Sequence, residues 1–247
     1  MATFHFRLKS GRNGVNHALY IARQGFHSDR DDLIATSHGN LPAWANGEPR
    51  RFWRAAEVGE RKNGAIYREA VIALPNELSE EQNKVLAERL VSKLAKGKPY
   101  QCAIHAPTSS LEGEPNPHMH LMMSDRVDDG IERAPNKFFS RYSATDPAAG
   151  GRRKASGGRN RMELRDDVLA KRKLVADTIN EHLSMHGHDA RVDHRTLIEQ
   201  GVKRSPERRM SPVSIKKMSE RQKAKHVAAR RAAVPAKARG DRTGVNR

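Results

Sequence analysis

The sequence is short of the features that staple, anchor or power many proteins. Its 247 residues include one cysteine, Cys102, which excludes an intrachain disulfide and a cysteine-rich zinc site. No apolar run approaches the roughly 20 residues of a bilayer crossing. The N-terminal MATFHFRLKS has no apolar leader core. No GxxxxGK[ST] loop is present, so an ATP-driven mechanism has no support. Hydrophobic residues make up 36% and mean hydropathy is −0.81, so one core is not expected to span the whole length. These absences point to a soluble cytoplasmic protein with no membrane insertion.

Positive charge is what the chain has in excess. The net charge is +17, and residues 201–247 hold 15 Lys and Arg against 3 Asp and Glu. Residues 1–200 hold 31 against 26, an ordinary balance. A folded body followed by a basic arm suits phosphate neutralisation and counterion release, which makes nucleic acid the leading partner. Solubility or an acidic protein partner are the alternatives.

Periodicity sets the element order. TFHFRLKS (3–10) alternates as a strand, and Val15, Ala18, Leu19 and Ala22 fall at helical spacing before Gly25. Residues 26–49 read as a long polar loop, 50–61 as a short helix and 65–75 as a strand closed by Pro75. Ser79 and Gln82 form a capping-box pattern ahead of Leu86, Leu90 and Leu94. Strands follow at 99–107 and 118–126, a Gly/Ala/Ser linker at 144–159, a helix at 161–185 and a short helix at 193–201. This order predicts an α+β fold, an antiparallel central sheet with helices packed on one face, plus a helical basic C-terminal extension.

His118-Met119-His120 lies inside one of these strands. Side chains at i and i+2 share a face, so both imidazoles can reach one ion. His105 ends the preceding strand and comes alongside if the two strands pair across the EGEPNP turn. Three neutral imidazoles leave open positions for water or phosphate oxygens, the layout of a catalytic metal site. Imidazole by itself favours transition metals over Mg²⁺. A rival set is His182, His186, His188, Asp193 and His194, in which the first two sit at i, i+4 on one helix.

Tyr20, one of four tyrosines, sits beside the apolar stripe of the first helix, with Asn16, His17, Arg23 and Gln24 as helical neighbours. A tyrosine in this polar, basic setting suits attack on a phosphodiester, although a phenol with a pKa near 10 must be activated. Trp44, Phe52, Trp53 and Tyr142 are candidates for stacking on bases or for core packing, with Trp53 favoured as core.

These landmarks, in this order, resemble the relaxase domain of the MobA/MobL family, within the histidine-hydrophobic-histidine (HUH) endonucleases. The resemblance runs from Phe4 to about Gly201 through HALYIARQG (17–25), FWRAAEVGERKNGAIYREAVIALPNEL (52–78), AIHAP (103–107), NPHMHLMMSDRVDDGIER (116–133) and HGHDARVDHRTLIEQG (186–201). It implies Tyr20 as nucleophile, His105, His118 and His120 as metal ligands, and Glu69 as an acidic residue at the active site. Glu69 as an exposed strand residue is the other reading.

The resemblance further implies nicking at a plasmid origin of transfer with Mg²⁺ or Mn²⁺. Its partners would be single-stranded DNA, accessory mobilisation proteins and a type IV secretion coupling protein. Arg23, Arg61, Arg126, Arg152, Arg153 and Lys154 are assigned to DNA contact. The domain reading is an HUH nicking core over 1–143, a flexible basic linker over 144–160, a helical segment over 161–201 and a basic, mobile arm over 202–247. A rolling-circle replication initiator, an inactive DNA-binding relative and an RNA-binding protein remain alternatives.

Overall fold

The computed structural model describes residues 4–109, 111, 113–203, 210 and 212–232. In chain order the elements are β1 (Phe6–Gly11), α1 (Gly14–Ile21), β2 (Leu33–Gly39), α2 (Pro49–Gly59), β3 (Tyr67–Ala73), α3 (Glu80–Leu94), β4 (Tyr100–His105), β5 (His118–Met123), α4 (Pro135–Phe138), α5 (Arg161–Met185), α6 (Pro212–Lys216) and α7 (Glu220–Ala232). Short 3-10 turns occupy Gly25–His27 and Ala43–Ala45. The five strands form one antiparallel sheet in the order β1-β3-β5-β4-β2.

Both faces of this sheet are covered, which corrects the expectation of helices on one face. On one side Ala70, Ile72, Cys102, Ile104, Met119, Leu121 and Met123 pack beneath α3 and α5. On the other, Tyr67, Ala103 and Met122 meet α1, α2 and α4. The central strands therefore bury both of their alternating sets, and β4 and β5 are buried along nearly their whole length despite the glutamine and histidines they carry. Capping boxes start the two long helices: Ser79 with Gln82 for α3, and Asn160 with Glu163 for α5.

β2 was not expected, because 26–49 reads as loop. Among the described residues it is an edge strand, paired with β4 alone and largely half-buried or exposed, so its LIATSHG needs no apolar alternation. Residues 193–201 form turns rather than a helix.

The flexible-linker reading of 144–160 fails at its centre. Gly151 N–H donates to the Arg141 carbonyl at 3.0 Å, Arg152 N–H to the Phe138 carbonyl at 3.1 Å, and Ala155 N–H to the Asp125 carbonyl at 2.8 Å. A Cβ on Gly151 would lie 2.3 Å from the Ser140 carbonyl oxygen, so glycine here permits close backbone packing rather than looseness. Within the basic arm, α6 and α7 are helical; residues 204–209, 211 and 233–247 lie outside the described residues.

Candidate metal centre and active site

The β4–β5 register brings the three histidines of the strand pair together. His105 is the cross-strand partner of His118, and Ala103 that of His120. Strand alternation turns all three imidazoles to the α1 face. Ring centroids are 5.5 Å apart for His105–His118, 4.9 Å for His105–His120 and 5.1 Å for His118–His120. One nitrogen from each ring lies within 4.8 Å of the others, and among the described residues no other group of this kind occurs.

The rival histidines are used elsewhere. His182 is buried with Nε2 2.9 Å from the Gln82 carbonyl, and His186 Nδ1 is 3.0 Å from Gln82 Nε2, an interhelical contact between α3 and α5.

The environment keeps the ligand candidates in the form that binds metal. Burial pushes His105 down to about 4, against the opposing effect of the Ile21 carbonyl 2.7 Å from its Nε2. Burial likewise lowers His118, whose Nδ1 lies 2.9 Å from the Asn116 carbonyl. Both rings are thus neutral at pH 7, as a ligating imidazole must be. His118 and His120 each keep Nε2 for a divalent ion, and His105 would join them through Nδ1, the nitrogen that Arg23 Nη2 approaches at 3.2 Å.

Glu69, on β3, is fully buried on the same face. Its Oε1 is 2.6 Å from His120 Nδ1 and 2.9 Å from His17 Nε2, and its Oε2 is 2.6 Å from Lys9 Nζ. Burial opposes the charge, yet the contacts with His120, His17 and Lys9 outweigh it and hold the carboxyl well below the usual range. The exposed-strand reading of Glu69 is therefore excluded. The same buried anion helps push neighbouring Tyr67 up to about 12, after burial itself, so Tyr67 stays a neutral phenol.

α1 carries Tyr20 over this constellation. The Trp53 indole N–H donates to Gln101 Oε1 at 3.2 Å, and Gln101 Nε2 donates to the Ala18 carbonyl at 3.1 Å, which seats the helix on the sheet. The Tyr20 ring is half-buried, 6.5 Å from the His120 ring and 5.9 Å from that of His17. Arg23 and Arg30 place their guanidinium carbons 4.9 and 5.5 Å from its centroid.

Sequence reasoning gave no role to Lys9, His17 or Asp32. His17 stands three residues before Tyr20, a helical neighbour that was visible; Lys9 faces Glu69 only through the β1–β3 register. Asp32 lies in a polar stretch without periodicity and left no signal.

The cations assigned to DNA divide into two groups. Arg61 and Arg153 are exposed. Arg126 is buried against Glu60, with Nε 2.8 Å from Oε1 and further bonds to the carbonyls of Phe139, Ser140 and Arg152. Arg152 is buried and pairs with Asp128 at 2.6 Å, and Lys154 reaches Glu60 at 2.8 Å. These three are committed inside the protein, and Arg126 in particular has no face left for a phosphate. The aromatics follow the same pattern: Phe52 and Trp53 are buried, and Trp44 stacks on Phe52 at 5.8 Å. They build a second core rather than a stacking surface.

Comparison with known proteins adds a family. The model of the MobA/MobL family matches residues 7–221. A 43 kDa relaxation protein of Salmonella typhimurium is 40% identical over 209 residues, covering 83% of this chain and 56% of that protein. Mobilization protein A of Escherichia coli is 38% identical over 220 residues, covering 86% of this chain and 30% of the relative. The chain thus spans about half, or less, of the length of these relatives. A solved structure described as the molecular basis of vancomycin resistance transfer in Staphylococcus aureus covers 79% of this chain and 100% of its own. Its TM-score is 0.57 at 22% identity, a likeness of fold. Among the described residues no helix is long and apolar enough to cross a membrane.

Proposed function

The chain belongs to the MobA/MobL family, and on that premise we propose that it is a plasmid-mobilisation relaxase that nicks and rejoins one DNA strand at an origin of transfer. The observation that supports this best is the convergence of one tyrosine, three clustered imidazoles and a buried carboxylate on one face of the sheet. Single-stranded DNA is the substrate. Accessory mobilisation proteins and a type IV secretion coupling protein are the partners, and the cytoplasm is the place of action.

His105, His118 and His120 are the residues that would hold Mn²⁺ or Mg²⁺. When bound, the ion supplies polarisation of the scissile phosphate and stabilisation of its developing charge. Tyr20 Oη attacks phosphorus in line. The Oη–P bond forms as the bond from phosphorus to the 3′ oxygen breaks, the phenol proton is lost, and the leaving oxygen takes a proton. The products are a 5′-phosphotyrosine and a free 3′-hydroxyl. One phosphodiester replaces another, so the hydroxyl can reverse the step without ATP. Glu69 acts through His120, fixing its ring by Nδ1, and is a positioning residue. Arg61 and Arg153 are the exposed cations offered to the DNA backbone, with the basic arm adding sequence-independent affinity.

The deciding experiment incubates the chain with a labelled single-stranded oligonucleotide of the cognate origin, with and without Mn²⁺, on denaturing gels. A metal-dependent covalent product mapped to Tyr20, absent from Tyr20→Phe, is expected. Tight binding with no adduct would replace this reading with that of an inactive DNA-binding relative.

A further inference from the structure

Arg23 combines two features that seldom coincide. Its backbone is left-handed, with φ at 52°, at the position just past α1 where helices commonly place glycine. The Gln24 N–H bonds the Leu19 carbonyl at 2.9 Å and the Arg23 N–H bonds the Tyr20 carbonyl at 3.3 Å, which closes α1 in the pattern that needs this conformation. An arginine is disfavoured there, yet it is present and its side chain is buried.

The guanidinium is almost fully committed. Nε and Nη2 grip Asp32 at 2.7 and 2.8 Å, Nη1 donates to the Tyr20 carbonyl at 2.8 Å, and Nη2 stands 3.2 Å from His105 Nδ1. On the opposite side of the same ring, His105 Nε2 meets the Ile21 carbonyl at 2.7 Å. Both sides of His105 are therefore held by the end of α1 and the residues just beyond it, immediately after Tyr20. Strained backbone persists where its surroundings over-determine it, and such positions cluster at functional sites. A phosphate ligand would keep its donors in reach of solvent, and Arg23 does not.

Resting on the relaxase reading, we infer that Arg23, gripped by Asp32, is a positioning residue that docks the Tyr20-bearing end of α1 onto His105 and so sets nucleophile against metal site. This replaces the DNA-contact role expected for Arg23 from the sequence. Asp32 shares the role by fixing the plane of the guanidinium in a bidentate grip.

The test compares the full chain with Arg23→Gly, Asp32→Asn and the double variant. Glycine suits the left-handed backbone, so the helix end should survive and circular dichroism should match the parent. The Nε2–H of His105 is given to the Ile21 carbonyl, so Nδ1 is the nitrogen an ion would take over from Arg23 Nη2. Calorimetric titration with Mn²⁺ alone should therefore show affinity raised about tenfold in Arg23→Gly and lowered about tenfold in Asp32→Asn, which leaves the guanidinium uncompensated beside the ion. In the oligonucleotide assay kcat should fall by about tenfold or more while KM stays within about threefold. Arg23 and Asp32 act as a unit, so the double variant should be no worse than the poorer single one.

Unchanged Mn²⁺ affinity in a folded Arg23→Gly protein would overturn the proposal. So would a loss confined to KM with a salt slope lower by about one, the mark of a phosphate contact. If Arg23→Gly does not fold, the isosteric Asp32→Asn decides on the same readouts. A parent chain that forms no adduct defeats the relaxase reading, and the Mn²⁺ titration then still decides whether Arg23 holds His105.

Discussion

Glu69 Oε1 lies 2.6 Å from Nδ1 of His120, a carboxylate holding an imidazole by one nitrogen and leaving Nε2 for an ion. The contact fixes the tautomer and the ring plane, and it raises the basicity of the other nitrogen. Glu69→Gln keeps the shape but gives up the charge that faces Lys9 and His17. Mn²⁺ affinity should fall by roughly 10- to 100-fold, as for other partners of metal-binding histidines. Calorimetry on the purified variant measures it, and unchanged affinity would confine Glu69 to a role in folding.

Metal binding to the triad should also stabilise the protein. An ion that binds only the folded chain adds about 2.7 kcal/mol at a hundredfold excess over its Kd. Thermal melts with Mn²⁺ should therefore rise for the parent and for His186→Ala, and stay flat for His118→Ala. A rise that survives in His118→Ala but vanishes in His186→Ala would move the metal to the α3–α5 contact.

Buried and exposed arginines should separate cleanly. Arg126→Met leaves Glu60 with Lys154 alone inside the protein, and removing one partner of a buried pair costs about 3–5 kcal/mol. Denaturant melts should record that loss, while the salt dependence of DNA affinity in the folded variant should not change. Arg61→Ala and Arg153→Ala should do the reverse, each lowering the salt slope by about one at constant stability. A reduced slope in Arg126→Met would return that residue to the DNA surface.

The site was legible where its residues repeat with the period of the element that carries them. His118 and His120 share a strand face by alternation, and His105 joins them once its strand is paired, so the cluster of three imidazoles followed from spacing and that one pairing. Family resemblance supplied Glu69 and strengthened Tyr20, already singled out by its basic neighbours, as the candidate nucleophile. What stayed hidden depends on tertiary register. Lys9 meets Glu69 only because β1 pairs with β3, and Asp32 meets Arg23 only because the loop before β2 folds back on α1. Charge misled for a related reason. An arginine on the surface and one clamped by Glu60 look alike in sequence, because burial of a cation is decided by the partner that compensates it. The glycines at 150 and 151 misled too, since the residue that frees a chain also lets two backbones touch.

The Asp129–Arg133 pair gives a prediction in pH. Arg133 is buried, its Nη1 and Nη2 sit 2.7 and 2.8 Å from the two Asp129 oxygens, and its remaining bonds go to the carbonyls of Gly150, Pro147 and Ile131. The hydrogen bond from Arg133, against the cost of burial, holds the Asp129 carboxyl below its usual value. A carboxyl depressed on folding adds stability that is complete above its unfolded pKa, near 3.9, and is lost as pH falls through the lower folded value. Asp129→Asn should therefore cost about 2 kcal/mol at pH 7, the scale of hydrogen bonds to a charged group. The gap between parent and variant should hold down to about pH 5 and narrow steadily below about pH 4. Urea melts across that range measure it. A gap equally wide at both ends would mean that the bond geometry, and not the charge, anchors residues 147–150 to the core.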